Sequence, residues 1–165
     1  MATLPGPGAT LSGSADHKFG DTYKTIERLR SGSYGTVYTC HHLNAQGETY
    51  AVKIMDRAKL KKNDDAAVFR EVDVMKELVH LPNVVRLVDF FVEPQKLYMV
   101  QVLAKGGDVF DRLAKRTVYT EKDARDLGEV LLSTIKSLHE LNIVHRDVSI
   151  SNESACIHGV TICKR

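Results

Sequence analysis

The sequence predicts an α+β fold in which a five-stranded antiparallel sheet carries one helix and is followed by further helices. Short runs rich in β-branched and aromatic residues alternate with turn-forming residues. Between the third and fourth runs, apolar residues recur at helical spacing, and a longer helical stripe follows the last run. A length of 165 residues is that of one ordinary domain, and 43% hydrophobic with 27% charged residues is a globular composition able to bury a core.

Residues 1 to about 19 are rich in Gly, Pro, Ser, Thr and Ala and have little to bury, so they read as a flexible leader, with order beginning near Tyr23. Residues 25–29 and 36–40 flank a glycine-centred turn, and Asn44-Ala45-Gln46-Gly47 leads into residues 49–55, giving three antiparallel strands in succession. Val68, Val72, Met75 and Val79 then fall at i, i+4, i+7 and i+11, one face of a helix. Glu71 lies on that same stripe, where a carboxylate needs a cation or hydrogen bonds. Residues 84–92 and 97–103, parted by Glu93-Pro94-Gln95, read as two more strands. After a Gly106-Gly107 turn, Asp108 is placed to cap a short helix from Val109. Thr120 with Asp123 opens a longer helix like a capping box, and Leu127, Val130, Leu131, Thr134, Ile135, Leu138 and Leu141 form its stripe. The expected organisation is a leader at 1–19, a first lobe at 20–103 and the start of a second at 104–165.

Composition excludes several functions. With 23 Lys+Arg against 21 Asp+Glu the net charge is +2, too balanced for a nucleic-acid-binding domain. The basic run Arg57, Lys59, Lys61 and Lys62 is followed by Asp64 and Asp65 and reads as a solvated loop entering a helix. Cys40, Cys156 and Cys163 are widely spaced with no signal peptide ahead of them, so a reduced, intracellular setting, cytoplasmic or nuclear, is expected. No apolar run approaches a membrane span, and a soluble protein without membrane contact is expected. Cys156, His158 and Cys163 lack paired metal-ligand spacing, and the acceptor pattern Asn152-Glu153-Ser154 carries no meaning without a secretory signal.

The chemistry begins in the turn Leu29-Arg30-Ser31-Gly32-Ser33-Tyr34-Gly35-Thr36-Val37, where missing side chains let backbone amides approach a phosphate. On its own this is also an ordinary hairpin; it lacks the Gly-Lys-Ser/Thr of a P-loop, and a strand follows it. In Ala51-Val52-Lys53-Ile54 a lysine sits inside an apolar strand and requires an anion, for which Glu71 is the natural partner. Ile143-Val144-His145-Arg146-Asp147 closes the long helix, with Asn152 five residues beyond the aspartate.

In this order and at these distances the set resembles the eukaryotic protein kinase family, from about Tyr23 to Asn152. The fold implied is a kinase small lobe, a five-stranded antiparallel sheet plus one helix, followed by the first helices of the large lobe. Leu97-Tyr98-Met99-Val100, Ala104-Lys105-Gly106-Gly107-Asp108-Val109-Phe110-Asp111 and Tyr119-Thr120-Glu121-Lys122-Asp123-Ala124 are most similar to the calcium/calmodulin-dependent serine/threonine group. The resemblance implies transfer of the γ-phosphate of ATP, with Mg²⁺, to protein hydroxyls. It makes Gly32 and Gly35 the cradle over the phosphates and Lys53, paired to Glu71, the contact to the α and β phosphates. Leu29, Val37, Ala51 and Val85 would sandwich adenine; Gln101 takes the gatekeeper place, Val102 and Leu103 the hinge, and Asp108 the ribose. Asp147 becomes the catalytic base and Asn152 the Mg²⁺ ligand.

The sequence also departs from the family. Arg30 replaces the first loop glycine, where its side chain either crowds the turn or lies over phosphate. Ser149 replaces the lysine that serine/threonine kinases place two residues after the catalytic aspartate, and loss of one such contact costs on the order of 10²-fold in rate. The family's Asp-Phe-Gly segment falls at about Lys164 or Arg165, where the sequence reads Cys-Lys-Arg. On this reading the catalytic domain is truncated after its catalytic loop, and the stripe from Leu127 to Leu141 is exposed or covered by another protein. A pseudokinase-like module that binds nucleotide or a partner without catalysis is the alternative.

Overall fold

The computed structural model describes residues 18–32, 35–45, 47–61, 64–104, 120–145 and the backbone of 162–164. The chain divides into two compact units, Met1–Asp65 with Leu87–Leu103 and Ala66–Arg86 with Ala104–Arg165.

The first unit is built on five strands: β1 (Tyr23–Gly32), β2 (Gly35–His42), β3 (Thr49–Asp56), β4 (Leu87–Val92) and β5 (Lys96–Val102). They form one antiparallel sheet in the order β1-β2-β3-β5-β4. All five expected strands are present, and β1 and β2 run further than their β-prone runs because their ladder continues to the Gly32–Gly35 pair. Two bulges interrupt it, one between Thr25 and Arg28 and one between Arg28 and Arg30. At the first, the Thr39 hydroxyl replaces ladder bonds: it accepts from the Glu27 N–H at 3.1 Å and donates to the Glu27 carbonyl at 3.3 Å.

Alternation gives the sheet two faces of different chemistry. On the aromatic face, Tyr38 opposes Val52, Cys40 opposes Tyr50, Val52 opposes Val100 and Ile54 opposes Tyr98. These residues pack with Phe91, Val88, Tyr23 and Phe19 into one cluster. Phe19 belongs to α1 (Phe19–Thr22), a single turn ahead of β1, and is only 6% exposed. The expectation that order begins near Tyr23 is therefore corrected: Phe19 is a core residue, stacked on Tyr98 at 4.5 Å and Tyr23 at 5.7 Å and edge-on to Phe91 at 5.8 Å. The rest of the expected leader, apart from Lys18, lies outside the described residues.

Burial in this cluster pushes the Cys40 thiol up to about 11. Burial and the hydrogen-bonded Glu48 carboxylate push the Tyr50 phenol up to about 12. Burial, followed by the Asp89 charge, raises Tyr23 as well.

In the second unit, α2 (Asp64–Glu77) begins within the first and continues into a 3₁₀ turn, Leu78–His80. Val68, Val72 and Met75 are buried as the helical spacing requires, and Val74, which lies off that stripe, is buried as well. Val79, expected on the same stripe, is 37% exposed while Leu78 is 1% exposed. The tighter 3₁₀ turn rotates the next inward position one residue earlier. Val74 and Leu78 pack against Leu138 and Ile143, with Leu81 and Val84 alongside.

Leu138 lies on α3 (Glu121–Glu140), which starts with the expected capping box: Thr120 Oγ1 accepts from the Asp123 N–H at 3.2 Å, and Asp123 Oδ2 accepts from the Thr120 N–H at 3.2 Å. Asn142 closes it at φ 59°, its N–H bonded to the His139 carbonyl at 2.9 Å. Ile143 to His145 does not extend the helix end but forms β6 (Ile143–His145), antiparallel to β7 (Ile162–Lys164). Along α3, Thr134 and Leu138 are buried, whereas Leu127, Val130 and Leu141 are 37%, 42% and 42% exposed. The short helix expected from Val109 lies outside the described residues. Among the described residues no helix is long and apolar enough to cross a membrane.

Two predictions follow from this packing. A Cβ at Gly35 would sit 2.4 Å from the Ile54 carbonyl oxygen, whereas at Gly32 the nearest atom is 3.8 Å away. Gly35→Ala is expected to lower unfolding free energy by about 1–3 kcal/mol and Gly32→Ala by less than about 1, read by chemical denaturation. Equal effects would contradict this packing. Cys40 and Tyr50, whose ordinary values are 9.0 and 10.0, contribute to alkaline stability together with the raised Tyr23 and Tyr98. An acid raised on folding stabilises the fold fully below its unfolded value and loses that contribution as pH rises toward its folded one. Denaturation midpoints are therefore expected to fall progressively from about pH 9 to pH 12 and to stay flat for these groups between pH 7 and 8, a loss that Cys40→Ala reduces.

Candidate functional site

The sheet face opposite the aromatic cluster carries most of the predicted site. Along its cross-strand line Val37 opposes Lys53, Lys53 opposes Met99, and Met99 opposes Phe90. The adjacent line runs from Thr39 through Ala51 and Gln101 to Leu87. Lys53 therefore shares a face with Val37, Ala51 and Gln101 because each is an even number of residues from a register partner. Further along, Met55 opposes Leu97. Met55, Leu97 and Met99 are fully buried, and Ala51 is 4% exposed. Lys53 is half-buried, placing a cation on a central strand between apolar neighbours.

Gln101 is held by its own strand: its Nε2 donates to Met99 Sδ at 3.3 Å. Met99, which was not among the expected site residues, thus touches Gln101 and stands opposite Lys53. Alternation of Leu97, Met99 and Gln101 along β5 was the signal that could have found it. Tyr50 opposes Val102 at the end of β5, and Leu103 follows at the limit of the first unit.

The glycine turn lies where β1 and β2 meet. Its two glycines differ: Gly35 is closed off by the Ile54 backbone, so its missing side chain is a packing requirement, while Gly32 is exposed and open. Ser31 and Thr36 hydroxyls are 3.3 Å apart beside this last pair. Leu29 sits at the second bulge and is 50% exposed. Arg30 opposes Val37 and is exposed. Ser33 and Tyr34 at the tip lie outside the described residues.

Leu29, Gly32, Gly35, Val37, Ala51, Lys53, Gln101, Val102 and Leu103 thus belong to one unit. Glu71, half-buried on α2, and Val85, 7% exposed, belong to the other. Asp108, Asp147, Ser149 and Asn152 lie outside the described residues.

Comparison with known proteins identifies the class that this sheet and turn define. The protein kinase domain family model matches residues 23–152. The chain belongs to the protein kinase domain family, and its sheet with the following helices is the family's small lobe and the beginning of its large lobe.

Among similar curated proteins, myosin light chain kinase A of Dictyostelium discoideum is 35% identical over 79% of this chain and 43% of its own length. Calcium/calmodulin-dependent protein kinase cmkB of Emericella nidulans is 37% identical over 79% of this chain and 32% of its own length. Calcium/calmodulin-dependent protein kinase type IV of Mus musculus is 35% identical over 88% of this chain and 30% of its own length. The chain thus spans less than half the length of these relatives.

Proposed function

We propose that this chain carries the ATP-binding part of a serine/threonine protein kinase that transfers the γ-phosphate of ATP to protein hydroxyls. The observation that carries the reading is the register that sets Val37, Lys53 and Met99 in line, with Ala51 and Gln101 beside them and the glycine turn on the same hairpin. Lys53 puts a half-buried cation on the central strand of this face, of the charge that meets a triphosphate.

The described residues fit a nucleotide. Gly32 leaves the turn open to phosphate, Ala51 adds almost no bulk on the sheet face, and Gln101 is fixed by Met99. In this reading Lys53 binds the α and β phosphates with Glu71 as its partner. Leu29, Val37, Ala51 and Val85 enclose adenine, and the backbone of Val102 and Leu103 bonds its edge. Asp108 binds the ribose. Asp147 accepts the proton of the substrate hydroxyl as that oxygen bonds to the γ-phosphorus and ADP leaves. Asn152 would hold Mg²⁺, which neutralises phosphate charge when bound; this assignment rests on the family alone. An intracellular setting, with its supply of ATP, goes with the reading.

Ser149 favours a second form, in which the same face binds nucleotide or a protein partner without turnover, because the cation that would meet the moving phosphoryl group is replaced by a hydroxyl. Transfer of labelled γ-phosphate to a protein substrate separates the two forms.

Lys53→Met is expected to weaken ATP binding by about tenfold or more in a calorimetric titration. Unchanged affinity would remove Lys53 from the site. Asp147→Asn is expected to leave ATP affinity within about threefold while lowering any turnover by roughly 10²-fold or more. A parallel loss of both would contradict its role as base.

A further inference from the structure

Two groups of polar contacts meet at the turn between β4 and β5. On one side, Glu93 holds the segment ahead of β1: its Oε1 accepts from the Phe19 N–H at 3.1 Å, and its Oε2 accepts from Tyr98 Oη at 3.4 Å. The same Tyr98 ring lies flat on Phe19, 4.5 Å between centroids and 4° between planes. One carboxylate therefore fixes both the backbone and the ring partner of Phe19.

On the other side of this turn stands Arg57, the first residue after β3. Its N–H donates to the Gln95 carbonyl at 3.0 Å, and its Nη1 donates to the Glu93 carbonyl at 3.5 Å. The rest of its guanidinium turns to α2, where Nε and Nη2 reach Asp65 Oδ2 at 3.1 Å and 2.5 Å. Asp65 lies in the first turn of α2 and is the last residue of the first unit before the chain crosses into the second.

A continuous set of contacts thus runs from Phe19 through Glu93 and Arg57 to Asp65. Its first member lies ahead of residues 23–152, the part matched by the family, and its last lies on the helix that carries Glu71. The basic residue read from sequence as part of a solvated loop has a different position: the Arg57 side chain is only 33% exposed and joins three segments of chain. Its planar fork suits this task, since Nε and Nη2 bind one carboxylate while Nη1 is left for a carbonyl. A lysine ammonium also has three donors, but they radiate from one atom and lack the planar fork that spans the carboxylate and the carbonyl together.

We propose that Arg57 is a positioning residue for α2, and that the segment ahead of the domain acts on this helix through Phe19, Glu93 and Arg57. Displacing Phe19 releases the Glu93 side chain, loosens the turn that receives the Arg57 bonds, and frees the first turn of the helix.

Amide hydrogen exchange followed by mass spectrometry tests this on the full chain, using Arg57→Ala, Arg57→Lys and Phe19→Leu. Phe19→Leu keeps an apolar plug while removing the stacked ring. For Arg57→Ala, exchange over residues 64–70 is expected to rise about tenfold while residues 49–55 and 97–102 keep their protection, with Arg57→Lys intermediate. Phe19→Leu is expected to speed exchange at the Arg57 and Glu93 amides and, to a smaller degree, over residues 64–70.

Unchanged exchange over 64–70 in Arg57→Ala, or an equal rise across the whole sheet, would overturn the proposal.

Discussion

A slip of one residue along β3 would carry Lys53 into the aromatic cluster and turn Val52 out of it. The structure depends on the register that forbids this. Val52 meets Tyr38 on one side and Val100 on the other and is fully buried, while Lys53 meets Val37 and Met99 on the opposite face. Such a one-residue slip would bury an ammonium among Tyr23, Cys40 and Phe91 and expose apolar surface, a double cost of several kcal/mol by order of magnitude. The apolar face therefore fixes the position of a charge on the other face. Stability and the site are set by the same ladder.

The surrounding features keep that ladder in place. Gly35 lets β2 approach the Ile54 carbonyl closely, in the same strand pair that brings Val37 opposite Lys53. Thr39 completes the hydrogen bonding where β1 bulges, so that the ladder resumes at Arg28 and reaches the Gly32–Gly35 turn. Phe19 covers the aromatic cluster from ahead of β1, stacking on rings from β1 and β5 and meeting Phe91 of β4 edge-on. Each device acts at the backbone or on the apolar face, leaving the lysine face to be shaped by Val37, Ala51, Met99 and Gln101.

Much of this was legible in the sequence because it depends on local periodicity. The five strands, α2 and the capping box of α3 follow from alternation, helical spacing and the Thr120–Asp123 pair. The shared face of Lys53, Val37 and Ala51 follows once the strands are paired. Contacts distant in sequence were not legible. Phe19 looked like leader because its partners Phe91 and Tyr98 lie far along the chain, and composition near the N-terminus masked one aromatic residue among small ones. Arg57 looked like one of several loop cations until the fold brought the Glu93 carbonyl to it. Val79 and Leu78 exchanged roles because a 3₁₀ turn, invisible to an i, i+4 pattern, ends α2. Asp108, Asp147 and Asn152 rest on their motif, since they lie outside the described residues.

The central claim is that the lysine face of the sheet is where nucleotide binds. An ATP-derived acyl phosphate, which transfers its acyl group to a lysine lying beside bound phosphates, tests it directly when the labelled peptides are mapped by mass spectrometry. The account predicts that Lys53, though half-buried, is acylated ahead of the exposed Lys59, Lys61 and Lys96, and that excess ATP suppresses its labelling. Labelling spread over the exposed lysines, with Lys53 spared and ATP without effect, would contradict it.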